Sequence, residues 1–350
     1  MHKLLYLTWS FSALLFLSPS ALAWGERGHD IVTRVAVLQL ASESDANQKL
    51  NRPFSRSPHK LAHLSNVPDI VWRSNTMSHA ERSLNAPTHY FDVDLLHEAP
   101  VQLADLEYSF DKANSLAKSR GHTLVKDVGT APWRVLQLHQ LMIDALRQAG
   151  EAKKRKALIA HVDTALLYGG LMSHFVGDLA NPHHTTVDFD GRATGNGGLH
   201  AYFESGVVSV LSLNLDDQVW DRARRGILPT RLKAFTTKAE RKRVLNDPEQ
   251  LVFALVVDSF SELPTLLALD NRHSLIKRSK GKGRAKRKPV AEVTSHYEDF
   301  IVQRLAMGAS VLSQLWYLAW LEAGQPDLSS YQSFQYPVQP AFIRPDYCCR

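Results

Sequence analysis

The chain has 350 residues, with 41 Lys+Arg against 35 Asp+Glu, a net charge of +6 and a pI near 9.2. Hydrophobic residues at 44% and charged residues at 22% exclude a disordered or fibrous chain. The two cysteines, adjacent at Cys348 and Cys349, exclude a disulfide framework and a four-cysteine zinc site.

In chain order, residues 1–23 read as a secretory signal peptide. Lys3 provides the positive start, Leu4 to Leu17 a short apolar run, Ser18-Pro19-Ser20 a break, and Ala21-Leu22-Ala23 a small-x-small cleavage site. The apolar run is shorter than the ~20 residues that cross a bilayer. The expectation is cleavage before Trp24, a free α-amino group on that residue, and a secreted or periplasmic protein, treated as a monomer. No later segment is expected to span a membrane.

The rest of the chain reads as one mainly α catalytic domain, 24–350, with long loops around a site. Helical apolar spacing runs over Ile31 to Leu40, Trp133 to Leu146, Lys156 to Leu179, Gln250 to Leu269 and Tyr297 to Leu321. Leu50 to Pro100 is rich in Pro, Asn, Ser and His without clear period, and reads as a long loop, either disordered or functional. Val207 to Leu213 is the best strand candidate. Lys277 to Lys288, KRSKGKGRAKRK, holds eight basic residues interleaved with Gly and Ser. It reads as a flexible loop between helices, either a plain solvated insert or an arm for phosphate-rich polymers or anionic lipid.

Sixteen histidines include several at ligand spacing. In SHFVGDLANPHH, His174 and Asp178 are four apart on a helix, so they share a face and suit one metal ion. Pro182 ends that helix and His184 follows in a loop. His183, beside it, is expected to point elsewhere, towards solvent or behind a ligand. His200 and Glu204 repeat the i,i+4 pattern. Imidazole and carboxylate without thiolate favour zinc, and a catalytic rather than a structural site.

With these motifs, WGERGH at Trp24 to His29 and HYFD at His89 to Asp92, the chain resembles a superfamily. It comprises the secreted trinuclear-zinc single-strand nucleases (3′-nucleotidases) and the bacterial zinc-dependent phospholipases C. The resemblance implies the multi-helix fold of that superfamily and three zinc ions, with no organic cofactor. Trp24, His29 and Asp178 would hold one zinc, with Asp178 bridging to a second held by Asp69, His89 and His174. His184, His200 and Glu204 would hold the third. Asp69, Asp178 and Glu204 supply the anionic charge that such a cluster needs, and a metal-activated hydroxide would be the nucleophile. No Ser–His–Asp elbow, phosphate-binding GxxxxGK[ST] loop or HExxH motif offers another.

Both branches cleave phosphodiesters. The tight Trp24-to-His29 spacing and Asp92, which the nucleases place near the bound phosphate, resemble the nuclease branch; Glu204, where nucleases carry Asp, and Phe203, where they carry Trp, do not. A transition-state Arg of the family falls at Trp72, so Arg73 is the candidate by an offset of one. Tyr90, Phe91, Tyr202 and Phe203 lie close to the ligands in sequence, as base-stacking groups or as core. The reading is a secreted endonuclease acting on single-stranded DNA, RNA or nucleotides, with phospholipase C as the alternative. A zinc-stabilised polyanion-binding protein without turnover is the third.

Overall fold

The computed structural model describes residues 24–42, 48–225, 237–333 and 340–347. Residues 1–23, read from the sequence as a signal peptide, and both cysteines lie outside the described residues. The architecture is mainly α, as the periodicity predicts. α1 is Gly25–Ser42, α2 Gln48–Arg56, α3 Pro58–Ile70, α4 His79–Asn85, α5 Phe110–Ser119, α6 Ala131–Glu151 and α7 Arg155–Leu179. α8 is Leu215–Ala223, α9 Lys238–Leu245, α10 Pro248–Ser261, α11 Leu263–Leu269 and α12 Val290–Glu322. Two short antiparallel strands, β1 Leu275–Lys277 and β2 Lys286–Arg287, form one hairpin.

α12, 33 residues long, spans about 50 Å at 1.5 Å per residue. It packs against α1, α6, α7, α8 and α10, while α7 lies between α6 and α3. The α3–α7 approach depends on Gly170: a β-carbon there would stand 2.6 Å from the Leu64 β-carbon. Trp316 of α12 lies in this core against Phe54.

Five expectations change here, the last of them the basic run. The stretch 50–100 is largely helical: α2, α3 and α4 occupy much of it, with short 3-10 turns at Ala86–His89 and Val93–Leu95. Pro58 stands in the first turn of α3, where no N–H is required, but Pro53 and Pro68 lie inside α2 and α3, against the usual rule. Val207 to Leu213 is no strand; a π-helical turn, Tyr202–Val207, continues into a helical turn at Val208–Val210. Gln250 to Leu269 breaks at Glu262 into α10 and α11, with Pro264 in the first turn of α11. By length and composition, Pro248–Ser274 could cross a membrane, contrary to expectation, yet 56% of its apolar window is buried inside the fold.

The basic run is built structure rather than a flexible loop. β1 and β2 begin and end it, and Arg278 and Arg287 tie it down. Arg287 Nε donates to Asp270 Oδ1 at 2.7 Å and its Nη2 to Asp270 Oδ2 at 2.8 Å. Arg278 Nη2 donates to Asn271 Oδ1 at 3.0 Å. A buried bidentate arginine–carboxylate pair holds geometry well, and composition alone does not reveal its partner.

Candidate metal centre

α7 is the backbone of the site. Its last two turns carry His174 and Asp178, four residues apart and fully buried. The end of α7 is capped from the core: the Leu179 carbonyl accepts from Ser259 Oγ at 2.5 Å and the Ala180 carbonyl from Arg304 Nε at 2.9 Å. Arg304 also donates to Asp258 Oδ2 and Ser259 Oγ. These partners stand where an ordinary helix end exposes its carbonyls to water.

α1 brings His29 against α7, with its ring stacked on His174 at 4.1 Å between centroids. The fit requires Gly177, since a β-carbon there would lie 2.7 Å from His29 Nδ1. Trp24, fully buried, donates from Nε1 to the Gly177 carbonyl at 2.7 Å and lies 5.5 Å from the Phe203 ring. Asp69, in the last turn of α3, and His89 approach from the other side.

The segment 89–94 runs beside 184–187. His184 Nδ1 donates to the His89 carbonyl at 2.6 Å, and Phe91 N to the His184 carbonyl at 2.8 Å. Asp94 accepts from Thr186 Oγ1 at 2.6 Å and Val187 N at 3.0 Å.

Three buried groups of possible metal-holding atoms result: His29, His174 and Asp178; Asp69, His89 and His174; and His184, His200 and Glu204. Within each, one atom per residue lies within 4.8 Å of the others. The sequence pairs thus come together as expected, with His174 shared by the first two groups. Asp178 touches both: Oδ1 is 3.5 Å from His29 Nε2, and Oδ2 is 3.0 Å from His89 Nδ1 and 3.2 Å from His174 Nε2. Glu204 Oε1 lies 2.7 Å from His200 Nε2 and 3.0 Å from His184 Nε2.

The far sides of the rings fix their tautomers. His174 Nδ1 donates to the Ser65 carbonyl at 2.7 Å, as His184 Nδ1 does to His89, so each Nε2 turns inward. Asn85 holds His89 Nε2 at 3.1 Å, leaving Nδ1 inward. Asn181 donates to Glu204 Oε1. Buried atoms without a hydrogen-bond partner cluster at the same place: both His29 ring nitrogens, Asp69 Oδ2, Asp178 Oδ1 and Glu204 Oε2. Orphaned buried donors and acceptors are costly, and this donor set fits metal ions.

Protonation follows from crowding. Burial, reinforced by His174, pushes His29 down to about 3. Burial also opposes charge on His184, but Asp178 and Glu204 outweigh it and lift the ring to about 9. The same carboxylate–imidazole attraction overcomes burial at Glu204, held down to about 2 by His200 and His184. Asp178 is likewise held well below the ordinary carboxylate range. Without metal, protons on His174 and His184 offset part of the carboxylate charge.

Other sequence candidates fall into place around this cluster. Asp92 is buried beside it, and burial with the neighbouring Asp94 lifts its carboxyl to about 8. Arg73 reaches the mouth, its Nη1 2.9 Å from Asp69 Oδ1, while Trp72 turns into the core and donates to the Pro340 carbonyl. His183 is buried against His200 and Phe203, not turned to solvent. Phe91 and Phe203 are core residues too, 1% and 0% exposed, which removes them as stacking platforms; Tyr90 and Tyr202 are half-buried.

Sequence reasoning missed Gly177, Asn85, Asn181 and Asp94, and also Phe189. Phe189 is 51% exposed with its ring 5.6 Å from His200. Its position between two candidate ligand histidines was the signal available.

Comparison with protein-family models and with curated proteins finds no match for this chain.

Proposed function

We propose that the chain is a zinc-dependent phosphodiester hydrolase acting on single-stranded nucleic acid, built on three metal ions. The observation that carries this reading is three buried imidazole–carboxylate groups, two of them joined through His174 and Asp178, with ligand atoms that lack hydrogen-bond partners. Thiolate-free donor sets of this kind suit catalytic zinc. Asp69, His89, His174 and Asp178, then His29 with Trp24, and His184, His200 and Glu204 would be the holders.

Zinc held there would supply Lewis acidity and bring the proton of a water within reach of neutral pH. The chain's own residues supply the rest. Arg73, with its side chain 38% exposed at the mouth, presents a guanidinium to a phosphate oxygen while steadying Asp69. Asp92, raised to about 8, holds a proton at neutral pH beside His184 and offers it to an entering phosphoryl oxygen or leaving group. The buried walls of Trp24, Phe91 and Phe203 exclude water from the far side of the ligands.

The nucleic-acid substrate is favoured by Phe189, an exposed ring at the third group where an unpaired base can stack. The phospholipase C reading has one observation of its own: Val187, 50% exposed beside Phe189, makes an apolar pair that would also meet lipid. Zinc-loaded protein beginning at Trp24 should hydrolyse bis-p-nitrophenyl phosphate and single-stranded DNA but not phosphatidylcholine. Turnover of phosphatidylcholine alone selects the phospholipase reading, and no turnover of any phosphodiester removes both.

A further inference from the structure

The basic hairpin is not placed at random on the surface. Its backbone is stitched to the turn that leads into His200: Ser279 N donates to the Gly195 carbonyl at 2.8 Å, and Ala285 N to the Gly197 carbonyl at 2.8 Å. Gly197 N donates in return to Ser279 Oγ at 3.1 Å. Arg287 Nη1 adds a bond to the Gly197 carbonyl at 3.1 Å, and Arg192 Nη1 reaches the Lys282 carbonyl at 3.0 Å. Tyr202 closes the far end through its hydroxyl, which donates to the Lys288 carbonyl at 2.8 Å.

Eight basic residues therefore divide into two kinds. Arg278 and Arg287 spend their guanidinium groups on anchoring. Lys277, Lys280, Lys282, Arg284, Lys286 and Lys288 are exposed, and among the described residues none forms an ion pair. The stem of Arg284 lies against Gly198, two residues before His200. A row of unneutralised cations thus starts at the third metal-holding group and extends outward on a fixed support.

We propose that this hairpin is a docking track for the phosphate backbone of a single-stranded polynucleotide, leading the strand to the His184–His200–Glu204 group. The phosphodiesterase reading supplies the reason for a polymer at this rim; the binding itself does not depend on turnover. Fixed point charges match a chain of regularly spaced phosphates. A membrane surface fits less well, because the tip from Lys280 to Arg284 holds only Lys, Gly and Arg and offers nothing apolar to insert. Phe189, exposed beside His200, gives the first base a ring at the end of the track.

The test compares the protein beginning at Trp24 with its Lys280→Gln/Lys282→Gln/Arg284→Gln variant. The probe is a fluorescein-labelled phosphorothioate oligothymidylate of roughly 30 nucleotides, long enough to cover a groove of several phosphates. Circular dichroism checks that the variant folds. The variant should bind at least about tenfold more weakly at low salt, with a log–log salt slope shallower by about 2, at ~0.7 per lost phosphate contact. Equal affinity and equal slope overturn the proposal. So does hairpin-dependent binding to phosphatidylserine vesicles without binding to the oligonucleotide, which assigns the charges to a lipid surface. If the oligonucleotide binds through the hairpin but no phosphodiester is hydrolysed, the docking track stands and the proposed activity falls. If bis-p-nitrophenyl phosphate is hydrolysed but oligonucleotide affinity ignores the hairpin, the activity stands and the track falls.

Discussion

Gly177 and His29 meet so closely that a β-carbon on the glycine would lie 2.7 Å from His29 Nδ1. The absence of a side chain on one helix therefore sets the position of a candidate metal-holding histidine on another. Gly177→Ala should push His29 off Asp178, lowering bound zinc per chain and costing about 1–3 kcal/mol of stability from overpacking. Metal analysis alongside thermal unfolding checks both effects. Full zinc content in a folded variant would show that His29 does not need this contact to reach its place.

Asp178 and Glu204 should differ in what their loss removes. Asp178 touches the rings of His29, His89 and His174, whereas the rings at Glu204 are those of His184 and His200. Asp178→Asn should release the ions of two groups and Glu204→Gln that of one, as read by atomic absorption on dialysed protein. Equal losses in the two variants would contradict the proposed bridging role of Asp178.

The pH dependence of the metal-free protein has two limbs. His29, His139 and His183 are held by burial at about 3, about 4 and about 3. Their folded values lie below the ordinary 6.5, so the stability they allow is present above 6.5 and is lost as pH falls towards those values. The loss is about 1.4 kcal/mol per pH unit for each group. His184, at about 9, acts in the opposite sense: its contribution is complete below 6.5 and disappears as pH rises through 9. Calorimetry of chelated protein should therefore find maximal stability near pH 6.5 to 7. Zinc should remove the His184 part of the alkaline limb, since it displaces that proton, and leave the part set by Asp92, whose raised carboxyl costs stability as pH rises towards 8.

Trp24 carries a test of the amino-terminal ligand. A protein with Met-Ala ahead of Trp24 keeps the buried indole and its bond to Gly177 but has no free amine there. It should fold with unchanged melting of the core and lose phosphodiesterase activity. An unchanged rate would remove Trp24 from the ligand set while leaving the three side-chain groups intact.

What the sequence revealed followed the distance over which each contact acts. His174 with Asp178, and His200 with Glu204, announce themselves because one helical turn separates them. His29, Asp69 and His89 carry no local signal and became candidates only through the resemblance. Asp94 and Gly177 act across gaps of up to 148 residues, in the case of Gly177 and His29, and leave no periodic trace, while Asn85 stands four residues before His89 but across the junction of α4 with a 3-10 turn. The helices of 50–100 were hidden by polar, proline-bearing composition, although α3 buries Leu61, Leu64 and Val67 at helical spacing. The hairpin was misread for the converse reason: its charge was obvious, but the carbonyls and Asp270 that organise it lie elsewhere in the chain.

The buried Arg304 ties the end of α7 to α10 and α12 through Ala180, Asp258 and Ser259. A helix end secured in this way has no low-energy route to fraying. Amide hydrogens around His174 and Asp178 should then exchange only when the whole molecule opens, at the same rate as those in the centre of α12. The candidate metal centre would belong to the slowest-exchanging unit of the protein, so the ligand frame would persist between one metal loading and the next.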